Sequence, residues 1–510
     1  MLRYAILLTF LISGSICETT RSPRIAIVGA GASGIAAASK LLENGFQDLV
    51  ILEAEGRIGG RVHTVPFAGY MIDMGAQWIH GEKGNVVYSM VAPLNITDHF
   101  GPYKEQWYTS SGALLDSVLT KNLSDLYMDD FTALEENRWD GDCHKSVGEC
   151  FEEKFKTNMS RIPEINETLQ DQILWHFNLM ETSYDASDTW YDLPVDGYEG
   201  YQVCEGDRAI NWKERGYGII LDVLMKRFPN PEEELPVLNK THLNAEVAKV
   251  DYSSEDGTVK LTTQDGKEYI ADHVIMTPSL GVLKADYETL FNPQLPESKI
   301  KNIKSLGFGN AAKIYLAFND TWFNPAGDKV GGFSMLWSEE DRKRLDSNPK
   351  TRWVPYVAGV FFVEHKPRLL MFWISGKGAR LMDDLTDEEV FDQAVQLLQD
   401  FLSRDYNIST PTAMIRTTWH QNKHFRGTYS FRSLETVKTN SSAAQLSEPI
   451  MKMGKPVILF GGEASNKNHF STVHGAIGSG WREAERLINL YSKNSDAAEK
   501  DTELHPLAVL

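Results

Sequence analysis

Cysteine is scarce in this chain: four occur among 510 residues, at positions 17, 143, 150 and 204. None forms a CxxC pair and no Cys/His group shows zinc-ligand spacing, so no metal is expected. Basic charge is in deficit as well. Lys and Arg total 51 against 70 Asp and Glu, and the net charge of −19 argues against nucleic acid as a partner. An acidic balance is compatible with cationic ligands, although alone it speaks only for solubility. Long apolar runs are missing too. The first, Tyr4 to Ile12, is too short to span a bilayer, and no later stretch is long enough, so no stable membrane insertion is expected.

What is present at the N-terminus reads as an export signal. Arg3 supplies a basic start, the apolar run follows, and Ser13-Gly14-Ser15-Ile16-Cys17 supplies small residues before a cut after Cys17. Residues 1–17 are therefore expected to be a signal peptide and the protein to be secreted. Eight glycosylation sequons, starting at Asn95, Asn122, Asn158, Asn166, Asn239, Asn319, Asn407 and Asn440, point the same way. In an oxidising compartment Cys143 and Cys150 are close enough in sequence to form a small-loop disulfide, which leaves Cys204 unpaired. The length is too great for one simple core, and 42% hydrophobic with 24% charged residues is ordinary for a globular chain. Oligomeric state is not legible.

Arg24 to Arg61 carries the strongest positive signal. The apolar run Ile25-Ala26-Ile27-Val28 reads as a buried parallel strand, and Gly29-Ala30-Gly31-Ala32-Ser33-Gly34 follows, opening a helix over Ile35 to Leu42. A second strand, Leu49 to Leu52, ends in Glu53. Strand, glycines, helix, strand and acid in this order form a dinucleotide fingerprint. Gly29 allows the turn, Gly31 lets backbone approach a pyrophosphate, Gly34 lets helix and strand pack, and Glu53 can accept from a ribose. With Ser33 and Ala54, these are the expected nucleotide contacts. Arg57-Ile58-Gly59-Gly60-Arg61 adds a second close approach and two guanidinium forks for phosphate.

The run Glu53-Ala54-Glu55-Gly56-Arg57-Ile58-Gly59-Gly60-Arg61 resembles the Glu-Ala-x-x-Arg-x-Gly-Gly-Arg element of the flavin-containing amine oxidase family. The nucleotide that this resemblance implies is FAD. Further segments carry the likeness. Gly75-Ala76-Gln77-Trp78-Ile79-His80-Gly81 is similar to a segment that passes the flavin ring in animal polyamine oxidases, with Trp78 lining the site and His80 facing substrate amines. Gly309-Asn310-Ala311-Ala312-Lys313 places Lys313 where the family has a lysine holding a water at flavin N5. Trp419 to Ser430 resembles another family motif. There Tyr429 matches an aromatic in front of the ring, and Thr428 replaces the cysteine that binds flavin covalently in monoamine oxidases, so FAD is expected to be non-covalent. Near the C-terminus, Gly462-Glu463 and Ser471-Thr472-Val473-His474-Gly475-Ala476 match the final signature. Glu463 would bind a ribityl hydroxyl, and the following helix N-terminus would favour negative charge at the reduced ring. The resemblance places the Val247 backbone on the adenine. Thr472 stands where relatives with a two-aromatic cage carry tyrosine.

The acidic, aromatic stretch 181–205 suits a polycation through carboxylates and cation–π faces. Glu181, Asp196 and Glu199 are its expected substrate contacts, set beside the plainer reading of a solvated acidic loop. The fold class implied is α/β. A discontinuous Rossmann-type FAD domain (24–100, 241–290, 455–491) alternates with an α+β substrate domain (101–240, 291–454), and 492–510 is expected to be a loose tail. The expected activity is oxidation of spermine, spermidine or acetylated polyamines beside a secondary amine, with O2 as acceptor and hydrogen peroxide as product. Another amine or an amino acid as substrate, and a non-catalytic flavin-binding protein, are the alternatives.

Overall fold

Ile25–Val28 forms the central strand of a six-stranded sheet ordered Ile450–Lys452, Lys455–Phe460, His273–Met276, Ile25–Val28, Leu49–Leu52, Thr241–His242. All neighbours are parallel except the Ile450–Lys452 edge. Alternate side chains of the central strand point to opposite faces, and both faces are buried: Ile25 and Ile27 join one core cluster, Ala26 another. Covering on both sides explains why these strands read as unbroken apolar runs rather than alternating ones. The helices Ala32–Glu43 and Val473–Glu503 cover the first face through Ile35, Leu41, Ile477 and Leu487. A four-stranded sheet and the helix Leu280–Leu290 cover the second. The computed structural model describes residues 22–99, 104–135, 143, 145–159, 165–198, 200–324 and 330–503. The signal-peptide segment 1–17 and Glu199 lie outside them.

A second six-stranded sheet has the order Ala413–Arg416, Ala311–Ala317, Leu369–Ser375, Val357–Phe362, Val330–Leu336, Lys104–Thr109. Its strand period of two decides where the chemistry goes. Ala312, Ile314 and Leu316 enter one core cluster, while Tyr315 and Ala317 face Ile72 and Met74 on the other side. Lys313 shares the parity of Tyr315 and is aimed at the same 72–78 segment.

The helices Ser117–Glu135, Val147–Met159 and Glu167–Asp185 form a cap held by buried aromatics, among them Phe131, Phe151, Phe177 and Trp190. Cys143 and Cys150 are disulfide-bonded with Cα atoms 5.6 Å apart, and Cys204 is free. Thr386 caps Asp387–Leu402 in a capping box with Glu389, as the Thr-x-x-Glu spacing predicts. At the C-terminus the helix starting at Val473 runs on to Glu503, past residue 492 where the sequence reading begins a loose tail. Ala, Glu and Lys in this polar stretch are strong helix formers. Among the described residues no helix is long and apolar enough to cross a membrane.

Candidate functional site

A continuous cavity of about 920 Å³ joins the fingerprint to the face of the second sheet that carries Lys313. Gly29, Gly31, Ser33, Glu53, Ala54, Gly60 and Arg61 line it at the nucleotide fold, together with Val247, Gly462, Glu463, Thr472 and Val473. The glycines divide by what constrains them. A Cβ on Gly34 would lie 2.0 Å from the Gly29 carbonyl oxygen, so Gly34 serves helix–strand packing and does not line the cavity. At Gly31 the nearest protein atom would be 3.9 Å away, and its backbone is extended with φ −73°. Neither protein packing nor backbone strain demands glycine there. The space beside it is open to the cavity, as the close approach of a pyrophosphate would require.

Around this turn the polar groups are ordered. The Glu53 carboxylate accepts from the Ala30 N–H at 2.6 Å and the Glu55 N–H at 2.8 Å, and burial raises its pKa. Ser33 Oγ accepts from the Gly462 N–H at 2.9 Å, tying the two glycine turns together. Arg61 bridges to the Glu463 carboxylate at 2.8 Å, and that carboxylate also accepts from Ser430 Oγ and the Ser471 N–H. Thr472 Oγ1 accepts from the Gly475 N–H at 2.9 Å, capping the C-terminal helix whose start faces the cavity. Arg57 departs from expectation. It donates to the Ile58 and Gly60 carbonyls, lies over the Phe425 ring and does not line the cavity, so it braces the loop.

Lys313 is 3% exposed, and its Nζ donates to Asp73 O at 2.9 Å, Gly75 O at 2.8 Å and Gln77 Oε1 at 2.8 Å. Burial lowers its pKa to about 7 against the opposing pull of Asp73 and Glu364. The rings of Trp78 and Trp373 lie 5.8 and 5.4 Å from Nζ. Trp419 lines the cavity and donates to Met74 O at 3.2 Å. Tyr429 lines it too, and its hydroxyl donates to Ser183 O at 2.8 Å. His80 is exposed where it opens onto the cavity, with Nδ1 2.7 Å from Arg208 O, and the protein packed around it, with a smaller push from the Arg208 charge, lowers its pKa.

The acids differ from the sequence reading. Glu181 is 1% exposed and takes a hydrogen bond from Tyr127 in the aromatic core, away from the cavity. Asp185, one turn further along the same helix face, does line the cavity and accepts from Tyr198 at 2.7 Å, so position along the axis separates the two acids. Asp196 is exposed and lines nothing. Sequence reasoning missed Glu105 and Glu364, which also line the cavity. Glu364 accepts from Trp78 Nε1 at 3.2 Å, and burial raises its pKa. It sits in a turn, where an acid reads as solvated, so no local pattern marked it. Spacing also concealed a Cys/His group: Cys204, His469 and His474 converge from two segments, with one ligand atom of each within 4.8 Å of the others.

Comparison with known proteins matches this geometry. A family model described as flavin containing amine oxidoreductase fits residues 32–488. The bovine peroxisomal N(1)-acetyl-spermine/spermidine oxidase is 28% identical, covering 94% of this chain and 97% of that protein. A probable polyamine oxidase 5 of Arabidopsis thaliana is 28% identical, over 93% and 99%. In fold, the chain is similar to cyclohexylamine oxidase from Brevibacterium oxydans, with TM-score 0.66 and 18% identity over 92% of this chain and 100% of that one. The chain belongs to the flavin-containing amine oxidoreductase family and is an FAD-dependent amine oxidase.

Proposed function

We propose that this protein oxidises polyamines at a carbon next to a secondary amine, and that it does so after export. The observation that carries the substrate reading is the lining of one cavity by buried Lys313 and, among its carboxylates, by Glu105, Asp185 and Glu364 from separate segments. A flexible polycation needs anionic groups spaced along its path and apolar walls between them. Tyr184, Tyr198, Phe131 and Met180 supply such walls. The similarity to proteins named as acetyl-spermine/spermidine and polyamine oxidases supports the same choice.

FAD, held by the turns that carry Gly31, Ser33, Glu53 and Glu463, would supply the hydride acceptor and, with O2 as the final oxidant, the route to hydrogen peroxide; the substrate would leave as an imine that water hydrolyses to an aminoaldehyde and a shorter amine. The protein contributes position and proton control. An ammonium at Lys313 has three N–H bonds, and its three acceptors use all of them. Once deprotonated, the amine retains a lone pair that can accept from a water or from the substrate. Burial places that change near neutrality. Trp78 and Tyr429 line the path of the substrate, and His80, with Nδ1 turned to the Arg208 carbonyl, can accept from an amine N–H at Nε2.

Export rests on separate support. Of the eight sequon asparagines, seven are exposed and Asn158 is half-buried, so the fold leaves them reachable. The Cys143–Cys150 bond fits an oxidising compartment. We divide the chain into nucleotide and substrate units at the boundaries that the sequence suggests.

Arg208 also lines the cavity, so an amino acid with its carboxylate on that guanidinium is the competing substrate class. Replacing Glu364 with Gln discriminates. Losing a charged partner for one ammonium should raise KM for spermine about 10-fold or more, with little change for a monoamine. An equal effect on both would deny Glu364 a place in polycation recognition.

A further inference from the structure

The wall of the flavin cavity contains a group that the oxidase chemistry does not use. Cys204 and His474, 6% and 5% exposed, line the cavity, with Sγ and Nε2 3.8 Å apart. The His469 ring lies 4.9 Å from the His474 ring. His469 makes a hydrogen bond to the Gln202 backbone, while its buried Nδ1 has no partner. The Gln202 N–H in turn donates to Asn468 O at 2.8 Å, so the 202–204 and 468–474 segments are pinned to each other.

We propose that Cys204 Sγ, His469 Nδ1 and His474 Nε2 form a three-ligand site for a thiophilic d¹⁰ cation, Zn²⁺ or Cu⁺, with its fourth position open to the cavity. Tetrahedral zinc with one sulfur and two nitrogen ligands separates neighbouring ligand atoms by about 3.3–3.6 Å. The Cys204–His474 separation of 3.8 Å is close to that spacing, and the third atom lies within 4.8 Å, so small side-chain rotations close the triangle. One thiolate and two imidazoles suit a borderline or soft metal rather than Mg²⁺ or Ca²⁺.

Binding is balanced as follows. Cys204 releases its thiol proton to solvent and forms the S–metal bond, and His474 moves its proton from Nε2 to Nδ1. That second shift is the site's cost. Asn85 is oriented by its own roles, with Oδ1 accepting from the Val87 and Tyr88 N–H groups and Nδ2 donating to His80 O at 2.9 Å. Its Nδ2 therefore faces His474 Nδ1, at 3.4 Å, and two donors would meet there once the metal binds. The contact is long, so little is lost by giving it up. The positive end of the C-terminal helix also disfavours a cation, and the thiolate charge offsets it.

The test dialyses the flavin-loaded protein against Zn²⁺, and separately against Cu⁺ under reductant, and measures bound metal. Wild type should retain one equivalent more than Cys204→Ser and than His469→Ala, each with its flavin intact, and the retained equivalent should block reaction of Cys204 with a thiol reagent. Which of the two cations persists identifies the metal. Asn85→Asp keeps an N-cap and gives His474 Nδ1–H an acceptor, so it should tighten binding about 10–100-fold, as carboxylate partners of ligating histidines do. Equal metal in wild type and both ligand variants, or a Cys204 thiol that stays equally reactive with metal present, would overturn the site. Weaker binding in Asn85→Asp would remove His474 from it.

Discussion

At the scale of residues, the proposed chemistry centres on Lys313. A lysine in a strand of otherwise apolar and aromatic residues is costly to bury, and here three oxygen acceptors offset that cost. Its lowered pKa has a definite sign in function. Below about pH 7 the ammonium is saturated by its acceptors, and above it the amine gains a free lone pair. The substrate must also present a neutral reacting nitrogen, so both effects favour high pH. We expect kcat/KM for spermine to climb from pH 6 to beyond pH 8. Lys313→Met should lower kcat about 10²-fold or more and remove the inflection near pH 7 while flavin stays bound. A flat wild-type profile, or unchanged turnover in the variant, would take Lys313 out of the mechanism. In the sequence, a lysine inside an apolar strand draws attention, and its assignment to the site comes from the resemblance of the motif that holds it. Glu364 is not legible there, because its partner Trp78 lies 286 positions away and only the fold unites them.

At the scale of elements, the glycine turn between Ile25–Val28 and Ala32–Glu43 separates binding from folding. Gly31→Ala meets no protein atom nearer than 3.9 Å, so the fold should persist while flavin is lost on purification. Gly34→Ala drives a Cβ to 2.0 Å from the Gly29 carbonyl and should instead reduce the yield of folded protein. Flavin absorbance per folded protein, with far-UV circular dichroism, distinguishes the two. If Gly31→Ala retains its full flavin, the backbone does not approach the pyrophosphate there. The helix Glu167–Asp185 teaches a different lesson. Its acids were visible in the sequence, but Glu181 and Asp185, four apart, share one face of the helix, and which of them reaches the cavity depends on where along the axis the cavity begins, which no local pattern records. The buried polar turn therefore fell to Glu181, on Tyr127, and the cavity to Asp185.

At the scale of the whole molecule, two sheets meet over one cavity, and the chain passes between them repeatedly. Strands of the nucleotide sheet come from residues 25–52, 241–276 and 450–460, and the second sheet is built from the intervening lengths. Local patterns revealed the strands; pairing at such separations came only from matching motifs spread along the chain. If the protein is exported, a secreted preparation should lose mass on N-glycosidase treatment and begin after residue 17. A full-length, unshifted intracellular protein would contradict export without touching the catalytic reading.

The most direct test of the account is anaerobic mixing of the purified yellow protein with spermine, spermidine, N1-acetylspermine and a panel of amino acids, followed by absorbance in the flavin band. The account requires bleaching by at least one polyamine and peroxide on admission of air. A bound flavin that polyamines leave oxidised while an amino acid bleaches it would contradict the polyamine assignment and give the cavity to the Arg208 reading.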